Sequence, residues 1–198
     1  KSADYLDMSN AIALLWRMRE LGMDVGKRWD ELAEKAEAKA FDHIFVFHDA
    51  HYLLALVEGG RLEAAERMQA SMAARAGAGA GTEGPIYRAV GLPLAQAMLD
   101  MAKGRPGAAL EALWPVRREI VRIGGSHAQR DLFFRMLVAA ALAAGRYREA
   151  RALLAERTSL NPNSPWAWRR SAEALSGLGD TDGAAEADWL DGAADRFL

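Results

Sequence analysis

The sequence predicts an all-α fold, a right-handed solenoid of about five antiparallel helical hairpins, and three observations predict it. Gly145-Arg146-Tyr147-Arg148-Glu149-Ala150 is answered 34 residues later by Gly179-Asp180-Thr181-Asp182-Gly183-Ala184. A unit of that length is two helices that bury their apolar faces only by stacking on neighbours. Pro162 and Asn163 fall where such a unit ends its second helix, seventeen and eighteen residues after Gly145. Nothing along the chain shows the period-two alternation of a sheet.

The period is that of the tetratricopeptide repeat. The last two repeats, 131–164 and 165–198, follow it most closely, with Trp168 in the early aromatic position. Gly145 and Gly179 supply tight turns, and Ala150 and Ala184 are small because two helices cross there. Echoes at Gly60-Arg61-Leu62-Glu63-Ala64-Ala65 and Gly104-Arg105-Pro106-Gly107-Ala108-Ala109 stand 44 and 41 residues before the next glycine, so these repeats are stretched.

The elements follow in order. A helix over 4–21 carries an apolar stripe of Leu6, Ile12, Leu15 and Met18 and stops at Gly22, and 26–40 is its partner. Residues 42–58 form a helix apolar on nearly every side, which predicts deep burial, and 62–75 answers it. Residues 77–84 read as a flexible Gly/Ala loop and not as a phosphate cradle, because no strand precedes them and no Lys-Ser or Lys-Thr pair follows. Helices over 85–103 and 106–123 form the third hairpin, 126–144 and 147–158 the fourth, 164–177 and 181–197 the fifth. Ser126 with Gln129 fits a capping box, and Ser164 before Pro165 is another helix start. The last helix sets Ala187, Leu190, Ala194 and Phe197 against Asp188, Asp191 and Asp195, the amphipathic pattern of a terminal cap.

Composition bounds the function. The 198 residues are 51% hydrophobic and 26% charged, the mix of a globular protein, and one continuous array over 1–198 is the expected organisation. A net charge of −2 gives no basic field for nucleic acid, and Arg117, Arg118 and Arg122 read as the solvated face of a helix. There is no cysteine, hence no disulfide, thiol nucleophile or thiolate metal site. Without an apolar span or a signal sequence the chain reads as cytoplasmic, with no membrane partner. Lys1 in place of an initiator Met suggests a piece of a longer protein.

The candidate chemistry is a polar cluster of His43, Asp49 and His51 on one apolar helix, with Gln129, Arg130 and Asp131 at the start of another. Ionisable groups in such a helix are costly unless paired. His43, Phe47 and His51 stand at i, i+4 and i+8, and an Asp49–Arg130 pair would pin two hairpins together. The bland reading is a buried network that fixes stacking. The functional one makes His43 and His51 metal ligands or a general base in a metal-dependent hydrolase, with a divalent metal possible and none required.

Several motifs in order resemble the tetratricopeptide repeat protein 38 family and its bacterial relatives. They are Asp42-His43-Ile44, Phe47-His48-Asp49-Ala50-His51, Val90-Gly91-Leu92-Pro93 and Gly124-Gly125-Ser126-His127-Ala128-Gln129-Arg130-Asp131, flanked by Gly26-Lys27-Arg28-Trp29 and Asn161-Pro162-Asn163-Ser164-Pro165. The resemblance implies a helical solenoid of which this chain is roughly the C-terminal half. It implies no established reaction. The default expectation is therefore a binding or scaffold module whose concave groove takes a protein or peptide, with Arg130, Arg135 and Arg169 as clamps for carboxylates.

Overall fold

The computed structural model describes residues 4–77 and 81–194. Among them all regular structure is helical, as the fold class requires. The chain divides into two compact units, 1–137 and 138–198.

In the first unit α1 (Tyr5–Glu20) opens on Asp4, whose carboxylate accepts the Leu6 amide at 2.9 Å and meets the positive end of the helix dipole. α2 (Arg28–Ala38) and α3 (Val46–Glu58) follow. α3 is the hub, packed against α1, α2, α4 (Leu62–Gly77) and α6 (Leu92–Ala102). From Val46 to Leu56 every residue except His48 is buried, which is the deep burial its all-round hydrophobicity predicts. α2 comes close enough to α3 that a Cβ on Gly59 would lie 2.4 Å from the Ala33 Cβ.

Three expected boundaries are corrected. The helix expected over 42–58 starts at Val46, because Phe45 is extended and His43 takes a left-handed backbone, φ 45°. Glu83 serves this helix start, accepting the Val46 amide at 3.3 Å. The helix expected over 85–103 is instead α5 (Glu83–Ile86), a π-helical turn at Tyr87–Gly91, and then α6. Pro93 has no N–H to give to Ala89 and its ring needs room at that carbonyl, so the wider turn forms. A Cβ on Gly91 would sit 2.9 Å from Val46, so glycine here lets the turn press onto α3. The helix expected over 106–123 breaks into α7 (Pro106–Leu113) and a 3-10 helix at Glu119–Ile123, because Pro115 cannot continue α7 for the same two reasons.

Gly77 closes α4, and Glu83 with Gly84 opens α5, so both ends of the expected loop 77–84 are helical. Residues 78–80 lie outside the described residues. α8 (His127–Ala143) starts with the expected capping box: the Ser126 amide donates to Gln129 Oε1 at 2.8 Å and the Gln129 amide to Ser126 Oγ at 3.3 Å.

The second unit contains α9 (Tyr147–Leu160), α10 (Pro165–Gly177) and α11 (Thr181–Ala194), with α10 packed on both others. Gly145 and Gly179 hold positive φ at the turns, and Ala150 and Ala184 are buried, as the repeat requires. Ser164 caps α10 by accepting the Ala167 amide. Gly177 is pressed against the Tyr147 ring, where a Cβ would stand 2.5 Å from the ring carbons. Trp166 is core, whereas Trp189 is 66% exposed. Asp195 and Phe197, expected on the last helix, and the Ala194 side chain lie outside what is described. Asp191 is not simply solvated but pairs with Arg169 at 3.2 Å.

Candidate functional site

The buried polar cluster of the first unit is built around the N-terminal turn of α3. Asp49, 1% exposed, uses one carboxylate oxygen twice: Oδ2 lies 2.6 Å from His43 Nδ1 and accepts the Tyr87 hydroxyl at 2.7 Å. A carboxylate can only accept, so His43 Nδ1–H donates to it and leaves Nε2 as the nitrogen facing away from Asp49. That nitrogen is 2.7 Å from Ser71 Oγ on α4. Burial foremost, and then the hydrogen bond and charge of Asp49, drive the Tyr87 phenol well above its ordinary range. It therefore stays protonated and donates.

The local sequence explains the convergence. Loop 42–45 turns His43 inward because its backbone is left-handed, and Tyr5 holds that loop from α1 by donating to Asp42 Oδ2 at 3.0 Å. The π turn aims Tyr87 across Gly91 at α3. The first turn of α3 carries Asp49 at the positive end of the helix dipole, which favours a carboxylate.

His51, also buried, belongs to a different neighbourhood. Its Nδ1 donates to the Phe47 carbonyl at 2.7 Å, and its ring lies between Phe47 and Phe133, 4.4 and 5.4 Å between centroids. Nε2 has no partner in the described structure. Burial foremost, helped by His48 and Arg17, lowers its pKa to about 4 despite the opposing Phe47 carbonyl, so the ring is neutral at ordinary pH. His48 is half-buried and 3.0 Å from Ser9 Oγ, with its own pKa lowered chiefly by burial.

The second half of the expected cluster does not join the first. Arg130 donates to the Gly124 and Gly125 carbonyls and not to Asp49, so the expected Asp49–Arg130 pair is replaced by Asp49 with His43 and Tyr87. Gln129 is spent on the capping box and on Asn10 at 3.1 Å, and Asp131 pairs with Arg135 at 2.8 Å. Arg135 also reaches Glu20, and Arg169 pairs with Asp191, so the three arginines expected as clamps are each engaged within their own unit. His43 and His51 do not lie on one helix, and among the described residues no three His, Asp or Glu side chains are placed to hold a metal ion.

Ser71 and Tyr87 are the residues that sequence reasoning missed. Ser71 sits in Met68-Gln69-Ala70-Ser71-Met72, an ordinary helical stretch with no motif, so nothing local marks it. Tyr87 carries a faint signal, a lone tyrosine six residues before a helix-interrupting proline.

In the second unit α9, α10 and α11 frame a cleft of about 330 Å³. Trp168, Leu175 and Leu190 give it apolar surface, while Arg151, Thr158 and Glu186 give polar edges. The Trp168 indole N–H donates to the Pro162 carbonyl at 2.7 Å, which fixes the ring.

The family model for tetratricopeptide repeat matches residues 141–187. No solved structure matches the chain. No helix among the described residues is long and apolar enough to cross a membrane.

Proposed function

We propose that this chain is an interaction scaffold of the tetratricopeptide type, and that its second unit holds a protein or peptide segment in the cleft framed by α9, α10 and α11. The observation that carries the reading is a coincidence of residues. The repeat match spans 141–187, and all the cleft residues named above except Leu190 fall inside it. A fixed indole beside leucines suits an apolar anchor, and the mixed charges at the edge suit a polar flank. The resemblance of several motifs to the tetratricopeptide repeat protein 38 family favours the same reading, and supports a longer cytoplasmic array that includes this chain.

Panning a random peptide library against the purified chain tests this. Enrichment of peptides around one apolar anchor is expected, with Trp168→Ala weakening their binding at least tenfold at unchanged helicity, about 1.4 kcal/mol. A library that yields no consensus, or a consensus indifferent to Trp168→Ala, rejects the cleft as the binding surface.

A further inference from the structure

The geometry points to a second, catalytic site in the first unit: Ser71, His43 and Asp49 are arranged as an acyl-transfer triad, with Ser71 as a nucleophile toward carboxylic esters. Three groups stand in the required order. Ser71 Oγ is 2.7 Å from His43 Nε2, and His43 Nδ1 is 2.6 Å from Asp49 Oδ2. Such a constellation is recognised by geometry and roles, not by chain order or by fold. The base is held in the right tautomer from behind, because the buried carboxylate accepts Nδ1–H and is itself fixed by Tyr87.

Two further observations separate this arrangement from an ordinary buried network. His43 is the one non-glycine among the described residues with a left-handed backbone. Such a conformation costs energy, and here it turns the imidazole so that one nitrogen meets Asp49 and the other Ser71. Ser71 is also less buried than the groups behind it, so the chain of hydrogen bonds runs from a closed interior outward to a hydroxyl. Arg75, exposed one turn further along the same face of α4, places a positive charge near Ser71.

The reaction balances with the groups present. Ser71 Oγ attacks the ester carbonyl while its proton passes to His43 Nε2. The tetrahedral intermediate then expels the alcohol oxygen, which leaves with that proton, and acyl-Ser71 remains. Water repeats the sequence: its proton goes to His43, its oxygen bonds the acyl carbon, and the bond to Ser71 Oγ breaks as the serine recovers the proton. Asp49 is a positioning residue throughout.

A fluorophosphonate probe with peptide mapping decides the matter, because Ser159 on the same chain is exposed and bonded only to a helix carbonyl. Ser71 is expected to be labelled at least tenfold faster than Ser159, and His43→Gln is expected to abolish that difference. Equal labelling of the two serines in the unaltered protein overturns the proposal whatever any variant does. Undiminished labelling of Ser71 in a folded His43→Gln protein overturns it as well.

Discussion

The two units solve the same packing problem with different materials. In the second unit the repeat keeps its 34-residue period, and its helices meet through Ala150, Gly177 and Ala184, with only the small hydroxyls of Ser164 and Ser171 among its described buried polar residues. In the first unit the spacing is stretched, and His43, Asp49, His51 and Asp100 are all buried. A repeat that stacks on a regular period needs only small residues at the crossing. Where the period is broken by a loop at 42–45 and a π turn at 87–91, the backbone no longer fixes how helices meet, and a specific polar network does so. The same irregularity places His43 and Tyr87 where both reach Asp49.

The sharpest way to break the comparison is to remove Asp49. Asp49→Ala leaves the buried His43 and Tyr87 donors without an acceptor, and is expected to cost about 3–5 kcal/mol by chemical denaturation. Ser171→Ala, which deletes a buried hydroxyl bonded only to the Ala167 carbonyl one turn back, is expected to cost about 1 kcal/mol or less. Equal costs would mean that the buried carboxylate organises nothing.

His51 sharpens the contrast through pH. Its folded pKa of about 4 lies below the ordinary value of about 6.5, so the unfolded chain takes up a proton that the folded one refuses. Stability contributed by the neutral ring is fully present above pH 6.5 and is lost as pH falls toward 4, by roughly 3 kcal/mol in all. His51→Phe, placed between Phe47 and Phe133, is expected to be less sensitive by that amount across the same window, measured as the difference between two denaturation series. Parallel series would show that the ring is protonated in the folded state.

The legibility of the two units differs for the same physical reason. Gly145, Pro162, Ser164 and Gly179 act on their own neighbours, so the second unit can be written down from local rules, and so can the box of Ser126 and Gln129. His43 and Asp49 were visible as costly groups in an apolar stretch, but their partners were not. Ser71 and Tyr87 are 28 and 38 residues from the groups they bond, in segments that carry no motif. Arg130 misled because charge complementarity suggested Asp49, whereas the nearest acceptors were the carbonyls of the glycine turn at its own helix start. Pro93 and Pro115 stand in plain view inside expected helices, and the effect of Pro93 on the backbone is what places Tyr87.

An effect smaller than those of Asp49 and His51 lies in the regular unit and tests whether small residues suffice there. Gly177 has no positive φ, so alanine is acceptable to its backbone and only space is at issue. A Cβ would meet the Tyr147 ring at 2.5 Å, and the ring is the side that must yield. Overpacking of that kind costs about 1–3 kcal/mol. Gly177→Ala is therefore expected to speed amide exchange in α10 by about tenfold, the equivalent of 1.4 kcal/mol, and Tyr147→Ala in the same chain is expected to remove the clash and restore part of the protection. If Gly177→Ala instead slows exchange, the gain in helix propensity outweighs the contact, and the crossing of α9 and α10 is looser than a repeat held by close approach requires.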